Sequence, residues 1–282
     1  MTKPSWQDFG TFDESAYPEL WDGVVGAWCP SLGPTGLKLH DHSRRNNWGT
    51  LTNMDAATDW TISGGQYALD FDGTNDYVTA GSFSGQPVVG LSVWLKPANT
   101  ITAAASGGVL MQMRFGTANT WYLALGSATI NLTNEYITVI DTSAAGSGYR
   151  AGVTDGGSIA SDMWSHIFVR WTGAAYEIWF NGANKTLSVV GTPLLAMANA
   201  MYLACVDGDG AGPRAFYSGQ IDDVLQYSRT LSPNEIRRLY LLGRGGIYER
   251  RRRTLRRVGV EQGAAFKAYW ARRNSQIIGG GV

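Results

Sequence analysis

Only two of the 282 residues are cysteine, Cys29 and Cys205. So few exclude a small fold stapled by several disulfides, and Cys205 sits in an apolar run where a free thiol packs as a small hydrophobe. Histidine is nearly as scarce, at three copies, so a zinc centre built on His40 and His42 would need carboxylates to complete it. Charge is thin too: 16% of residues are Asp, Glu, Lys or Arg, low for a solvated helical protein. No sustained helical period occurs before Ser232. The uncharged run 186–206 is long enough to cross a bilayer, but Gly191, Pro193 and Asn199 interrupt it and it reads as buried strands. Met1–Gly10 lacks a basic start followed by an apolar core, so no secretory signal is expected there and the protein is expected to be soluble. Catalytic motifs are missing as well. There is no P-loop and no G-x-S-x-G elbow, and the glutamates of the β-rich region, Glu135 and Glu177, each stand alone. The chain is therefore expected not to be an enzyme.

What is present is punctuation. Thirty-six glycines separate short apolar or alternating runs, among them Gln66–Phe71, Leu91–Lys96, Val109–Arg114, Thr120–Leu125, Ser165–Trp171, Met201–Val206 and Gly219–Gln226. Many short strands with turn clusters between them predict an all-β, antiparallel two-sheet sandwich or jelly roll. One short C-terminal helix is expected after it, with Ser232 as N-cap, Pro233 in the first turn and Glu235 closing a capping box. The zero net charge hides an asymmetry. Residues 1–236 carry eleven basic against twenty-one acidic side chains, and residues 237–282 twelve against two. An N-terminal arm (1–20), a body (21–240) and a basic C-terminal arm (241–282) follow, the last expected to meet an acidic surface.

Several segments carry a family resemblance over roughly residues 21–240. Asp70-Phe71-Asp72-Gly73-Thr74-Asn75-Asp76-Tyr77-Val78 and Gly219-Gln220-Ile221-Asp222-Asp223-Val224 match recurring strands of the concanavalin A-like, laminin-G-like jelly rolls. Asp41–Leu51 resembles that family's D-x-S-G-x-x-N-x-G-T-L opening, with Arg44 where the pattern has Gly. Met163–Trp171 and Ala175–Gly182 resemble two further strands. The resemblance implies a domain that binds glycans or proteins. The E-x-D-x-x-E strand of the related glucanases does not occur here. The C-terminal extension also resembles tails that follow such jelly rolls in tailed-phage and prophage virion proteins.

Three sets of candidate residues result. Asp72, Asn75 and Asp76, with Asp222 and Asp223 brought alongside by first-to-last strand pairing, offer hard oxygen ligands suited to Ca²⁺; the alternative has them capping turns. Trp121, Tyr122, Tyr136, Tyr149 and Trp179 are candidates for stacking against sugar rings, the alternative being that they fill the core. In the arm, Arg250, Arg251, Arg252, Arg253, Arg256 and Arg257 could neutralise phosphates. Phe266, Tyr269, Trp270, Ile277 and Ile278 favour docking on a protein instead, as apolar anchors with the arginines as rim.

The sequence reading is a non-enzymatic structural subunit that decorates a virion assembled in a host cytoplasm. Its partners would be sibling copies in an oligomer and a major capsid or other virion protein, with no membrane and no nucleic acid. The second reading is a carbohydrate-binding module or adhesin that recognises a host-surface glycan.

Overall fold

The computed structural model describes residues 16–248 except 88, 103, 105, 116–118, 127–135, 142–148, 154–156, 191–196 and 208–211. The chain divides into a unit Tyr17–Ile247 and a unit of residues 1–16 with 248–282, and every element below lies in the first.

A short helix α1 (Pro18–Trp21) leads into β1 (Val24–Trp28), β2 (Lys38–Leu39), β3 (Gly49–Thr52), β4 (Trp60–Ser63), β5 (Gln66–Asp72) and β6 (Tyr77–Pro87). The middle of the chain supplies β7 (Gly90–Pro97), β8 (Ser106–Phe115), β9 (Asn119–Gly126), β10 (Ile137–Asp141) and β11 (Tyr149–Val153). Then come β12 (Ser165–Trp171), β13 (Tyr176–Phe180), β14 (Ala183–Asn184), β15 (Ser188–Val190), β16 (Met197–Leu203), the small hairpin β17 (Val206–Asp207) and β18 (Pro213–Arg214), and β19 (Ser218–Tyr227). Helix α2 (Pro233–Leu242) closes the unit.

These strands form the expected antiparallel sandwich. One sheet runs β14-β13-β12-β7-β19-β5-β4, with β1 also paired to β19; the other runs β15-β11-β10-β9-β8-β16-β6-β3-β2. The long β19 is shared between two partners on one side: its first half pairs with β5 and its second with β1. Alternation along each strand places one set of side chains between the sheets. On β9, Trp121, Leu123 and Leu125 enter that core, whereas Tyr122 and Ala124 belong to a separate cluster on the far face. Each large side chain fully buried in this way contributes about 1.5–3 kcal/mol.

Strand β16 is displaced from expectation, starting at Met197 and ending at Leu203 rather than running Met201–Val206. The backbone of Ala204 turns left-handed there, at φ 68°, and takes Cys205 and Val206 out of the ladder. Helix α2 forms as its capping box dictates: Glu235 N–H donates to Ser232 Oγ at 3.3 Å and Ser232 N–H to Glu235 Oε2 at 2.7 Å. Tyr240 of α2 stacks over Trp94 and His166, covering the outer side of the first sheet. Both cysteines are free and buried.

Candidate functional site

The five residues expected to share a cation do not come together. Asp72 ends β5, where its Oδ1 accepts from Thr74 N–H at 2.7 Å and Asn75 N–H at 3.2 Å, and Asp76 Oδ2 accepts from Asp72 N–H at 3.1 Å. Asn75 offers its carbonyl to Asn53 Nδ2. In the register of β19 on β5, Ser218 lies opposite Asp72 and Ile221 opposite Leu69, so Asp222 and Asp223 continue away from that turn. A β-bulge after Asp222, with Asp223 at φ 49°, sets both carboxylates to internal work instead. Asp222 Oδ1 accepts from Ser31 N–H at 3.0 Å, and its Oδ2 pairs with the Arg244 guanidinium at 3.3 Å. Asp223 Oδ2 accepts from Gly245 N–H at 2.9 Å. Arg244 in turn lies 3.8 Å over the Trp164 ring. The motif thus clamps the first loop and the chain after α2 onto the central strand. Asp59, Asp70, Asp72 and Asp76 do line one open cavity of about 360 Å³. Among the described residues, no group of three or more His, Cys, Asp or Glu side chains is arranged to hold a metal ion.

The aromatic candidates are likewise corrected. Trp121, Tyr122, Tyr136 and Trp179 are all buried. Trp121 packs against Tyr176 between the sheets, and Tyr136 meets Phe180 edge-on. Trp179 donates its indole N–H to Glu177 Oε2, which the Arg170 guanidinium also holds at 2.6 Å. None of the four offers a ring face to a sugar. Tyr149 lies on β11 opposite Asp141. Arg250, Arg251, Arg252, Arg253, Arg256, Arg257, Phe266, Tyr269, Trp270, Ile277 and Ile278 lie outside the described residues, as does Glu135. His166 Nε2 sits 2.8 Å from Ser92 Oγ, but both are buried and burial pushes the imidazole down to about 3. That pair is out of a substrate's reach.

The open surface is the outer face of the second sheet. One cross-strand row there runs Lys38–Thr50–Thr79–Tyr202–Gln112–Tyr122. The hairpin β17–β18 covers its far half. Val206 and Ala215 pack on Val109, Tyr122, Ala124 and Ile140, while Asp207 exchanges two backbone hydrogen bonds with the Gln112 amide. Arg114 pairs with the Asp207 carboxylate, and the Tyr202 hydroxyl bonds to both. The near half, from Tyr202 to Lys38, stays open.

The next row holds Gly81, Ala200 and Arg114 in register. Gly81 is exposed, and a Cβ added there would meet nothing within 4 Å. Since Gly49 faces Ala80, continuation of the register carries Trp48 beside Gly81. Trp48 is 45% exposed, the one aromatic among the exposed large hydrophobic side chains of the described residues. It is braced: the His40 ring meets it edge-on at 4.5 Å, and His42 backs His40 at 4.7 Å. Burial and the nearby His40 push His42 down to about 4, against the pull of Asp41. The result is a shallow seat. Its floor is Gly81 and Ala200, Trp48 stands at one side, and at the other is Arg114, paired with Asp207, about 14 Å away at three strand spacings, with Tyr202 two spacings away.

The loop before Trp48 is fixed from below. Buried Asp41 accepts four hydrogen bonds, from Ala27 N–H, Ser43 N–H, Ser43 Oγ and Asn47 N–H, at 2.8–3.0 Å. Trp28 Nε1 donates to the Asn47 carbonyl at 2.8 Å. The sequence does carry a signal for Trp48: an indole within the polar run Arg44-Arg45-Asn46-Asn47 has no apolar neighbours to be buried with.

A family model described as the concanavalin A-like lectin/glucanases superfamily (Laminin_G_3) matches residues 72–237. No curated protein matches the chain. Among solved structures, it is similar to domain 4 of AbnA, a GH43 extracellular arabinanase from Geobacillus stearothermophilus, in complex with arabinotriose. The TM-score is 0.55 at 13% identity, over 77% of this chain and 98% of that one. It is also similar to a botulinum neurotoxin type C, cell entry of which is dependent upon interaction with two ganglioside molecules, with TM-score 0.53 at 11% identity over 79% of this chain and 52% of that one. The binding domain of botulinum neurotoxin DC in complex with rat synaptotagmin II is similar at TM-score 0.51 and 10% identity, over 79% and 52%. The chain spans about half the length of these neurotoxin chains. At such identities the likeness speaks for the fold.

Proposed function

Because the chain belongs to the concanavalin A-like lectin/glucanases superfamily, we propose that it is a non-catalytic carbohydrate-recognition domain whose glycan lies on the outer face of the second sheet, beside Trp48. One observation carries the reading: the exposed Trp48 indole, braced by His40, stands at the β3 side of an open face on which a Cβ added at Gly81 would meet nothing within 4 Å. Sugar C–H faces stack on indole, and hydroxyls need a few fixed polar partners, which Thr50, Thr79 and Tyr202 offer on the same face. The arabinotriose held by the arabinanase domain and the gangliosides of the neurotoxin lend support from the same fold. The reading is non-catalytic in that, among the described residues, this face offers no spare carboxylate pair: Asp207 is tied to Arg114. The particle-docking reading depends on arm residues outside the described ones.

The test is a glycan-array screen followed by titration of the best ligand against Trp48→Ala. Removal of the indole should weaken binding by at least about tenfold, roughly 1.4 kcal/mol, with the melting temperature unchanged because Trp48 is outside the core. Unaltered affinity in that variant would place the site elsewhere.

A further inference from the structure

A glycine that neither backbone nor packing requires lies in the open face. Gly81 is on β6, and its φ is outside the left-handed region that favours glycine. A Cβ there would meet nothing within 4 Å, whereas one at Gly49, on the neighbouring β3, would lie 2.7 Å from Val78. The ladder to β16 shifts register beyond Gly81, but a bulge calls for glycine only through a left-handed φ, which Gly81 lacks. Glycine inside a strand gives up packing and chain entropy, and it marks places where another molecule comes close to the backbone. Ala200, opposite it on β16, adds only a methyl.

Different chemistry flanks this bare strip on its two sides. Beside β6, at the start of β3, stands the Trp48 indole. On β8, two strands the other way, Arg114 faces Ala200 in register and is paired with Asp207. The two side chains keep 20% and 14% of their surface exposed, so the pair can be reached from solvent. The Tyr202 phenol, pushed up by burial and then by Asp207, keeps its proton and donates to that carboxylate. The hairpin β17–β18 is held without the Asp207 side chain, because Gln112 bonds to the Asp207 backbone and Val206 and Ala215 pack on the sheet. A guanidinium and a carboxylate side by side offer donors and acceptors together. They complement adjacent sugar hydroxyls, each of which is donor and acceptor at once.

We propose that the face binds a linear oligosaccharide laid across the strands, with one ring on the Trp48 indole, the next over Gly81 and Ala200, and hydroxyls of a third on the Arg114–Asp207 pair. The proposal rests on the glycan-binding reading of the face and narrows its ligand class. A chain of about three sugars spans the three strand spacings, about 14 Å, that a single ring does not. Two separated grips make affinity depend on length, since the second engages at the effective concentration that the first creates.

Calorimetric titration of the full chain with cellotriose, mannotriose, galactotriose, xylotriose and arabinotriose, each beside its monosaccharide, tests this. At least one trisaccharide should bind at least about tenfold tighter than its monosaccharide. Asp207→Asn should cut that advantage to within about threefold and leave monosaccharide affinity, which depends on Trp48, unchanged. Ala200→Val tests the bridge without touching the pair: its methyls would stand under the middle ring, so it should strip the same advantage at an unchanged melting temperature. A hairpin loosened by the Asp207 substitution would not reproduce that second result. No length advantage in any series, or either variant retaining it, would overturn the proposal and leave the Trp48 reading standing. No binding of any of these sugars also overturns the proposal, and a blank glycan array, or binding untouched in Trp48→Ala, overturns the reading beneath it as well.

Discussion

At the residue scale, Asp222 is the most exacting position in the fold. None of its side chain reaches water, and burial pushes its carboxyl up to about 7 in spite of the Arg244 guanidinium and the Ser31 N–H. The unfolded chain would titrate it near 3.8. A folded value above the unfolded one means that its contribution to stability is fully present below about pH 4 and declines as pH rises through about 7. His166 and His42 run the other way, since burial lowers both and their contribution is lost as pH falls below about 6.5. The whole-protein profile mixes these opposed limbs, so the informative quantity is a difference. The stability of the wild type minus that of Asp222→Asn should fall between pH 4 and pH 8, by something on the order of 2–4 kcal/mol. Urea unfolding at several pH values measures it. A difference independent of pH would mean that Asp222 stays ionised in its clamp.

At the scale of elements, strands β6 and β16 make the floor of the seat, and Gly81 is where this can be separated from stability. A Cβ there meets no atom within 4 Å and valine suits a strand, but its methyls would stand where a sugar ring must lie. Gly81→Val should therefore abolish glycan binding while the melting temperature holds within a degree or two; binding that survives it would move the ligand off β6. The same elements mark where sequence legibility ends. β12 runs Ser165–Trp171 and β7 Gly90–Pro97, close to what alternation and turn residues indicate, because strand period and glycine punctuation are local properties. The identity of the open face is not local. Trp121 and Tyr122 are adjacent on β9 and point to opposite faces, yet both are buried, the first by the other sheet and the second by the hairpin β17–β18. That hairpin folds back from the far end of the chain, and nothing in the spacing of Val206 and Ala215 reveals where it lands. Asp222 and Asp223 show the same limit: the strand is legible, but the bulge that turns both carboxylates inward depends on Ser31, Arg244 and Gly245, remote in sequence.

At the scale of the whole unit, the first sheet is tied together through one strand. β19 pairs with β7 along one side and with β5 and β1 along the other, so the start, middle and end of the chain meet on it. The Tyr227 hydroxyl extends the tie by donating to the Leu20 carbonyl at 2.9 Å. The first sheet cannot open without exposing the shared core, where Trp28 and Ile221 of that sheet lie with Met111, Trp121 and Leu203 of the other. Unfolding should consequently be one cooperative event. The two thiols report on it from different places. Cys29 follows β1, and Cys205 follows β16 in the second sheet; both are buried, and burial raises both thiols, Cys205 to about 12. Buried and protonated, neither should react with a thiol reagent until the unit opens. Labelling of Cys29→Ala and Cys205→Ala variants across a urea series should give the same dependence of opening free energy on denaturant for each remaining thiol. If Cys205 labels with a markedly shallower slope than Cys29, the second sheet opens locally, and the sandwich is two units rather than one.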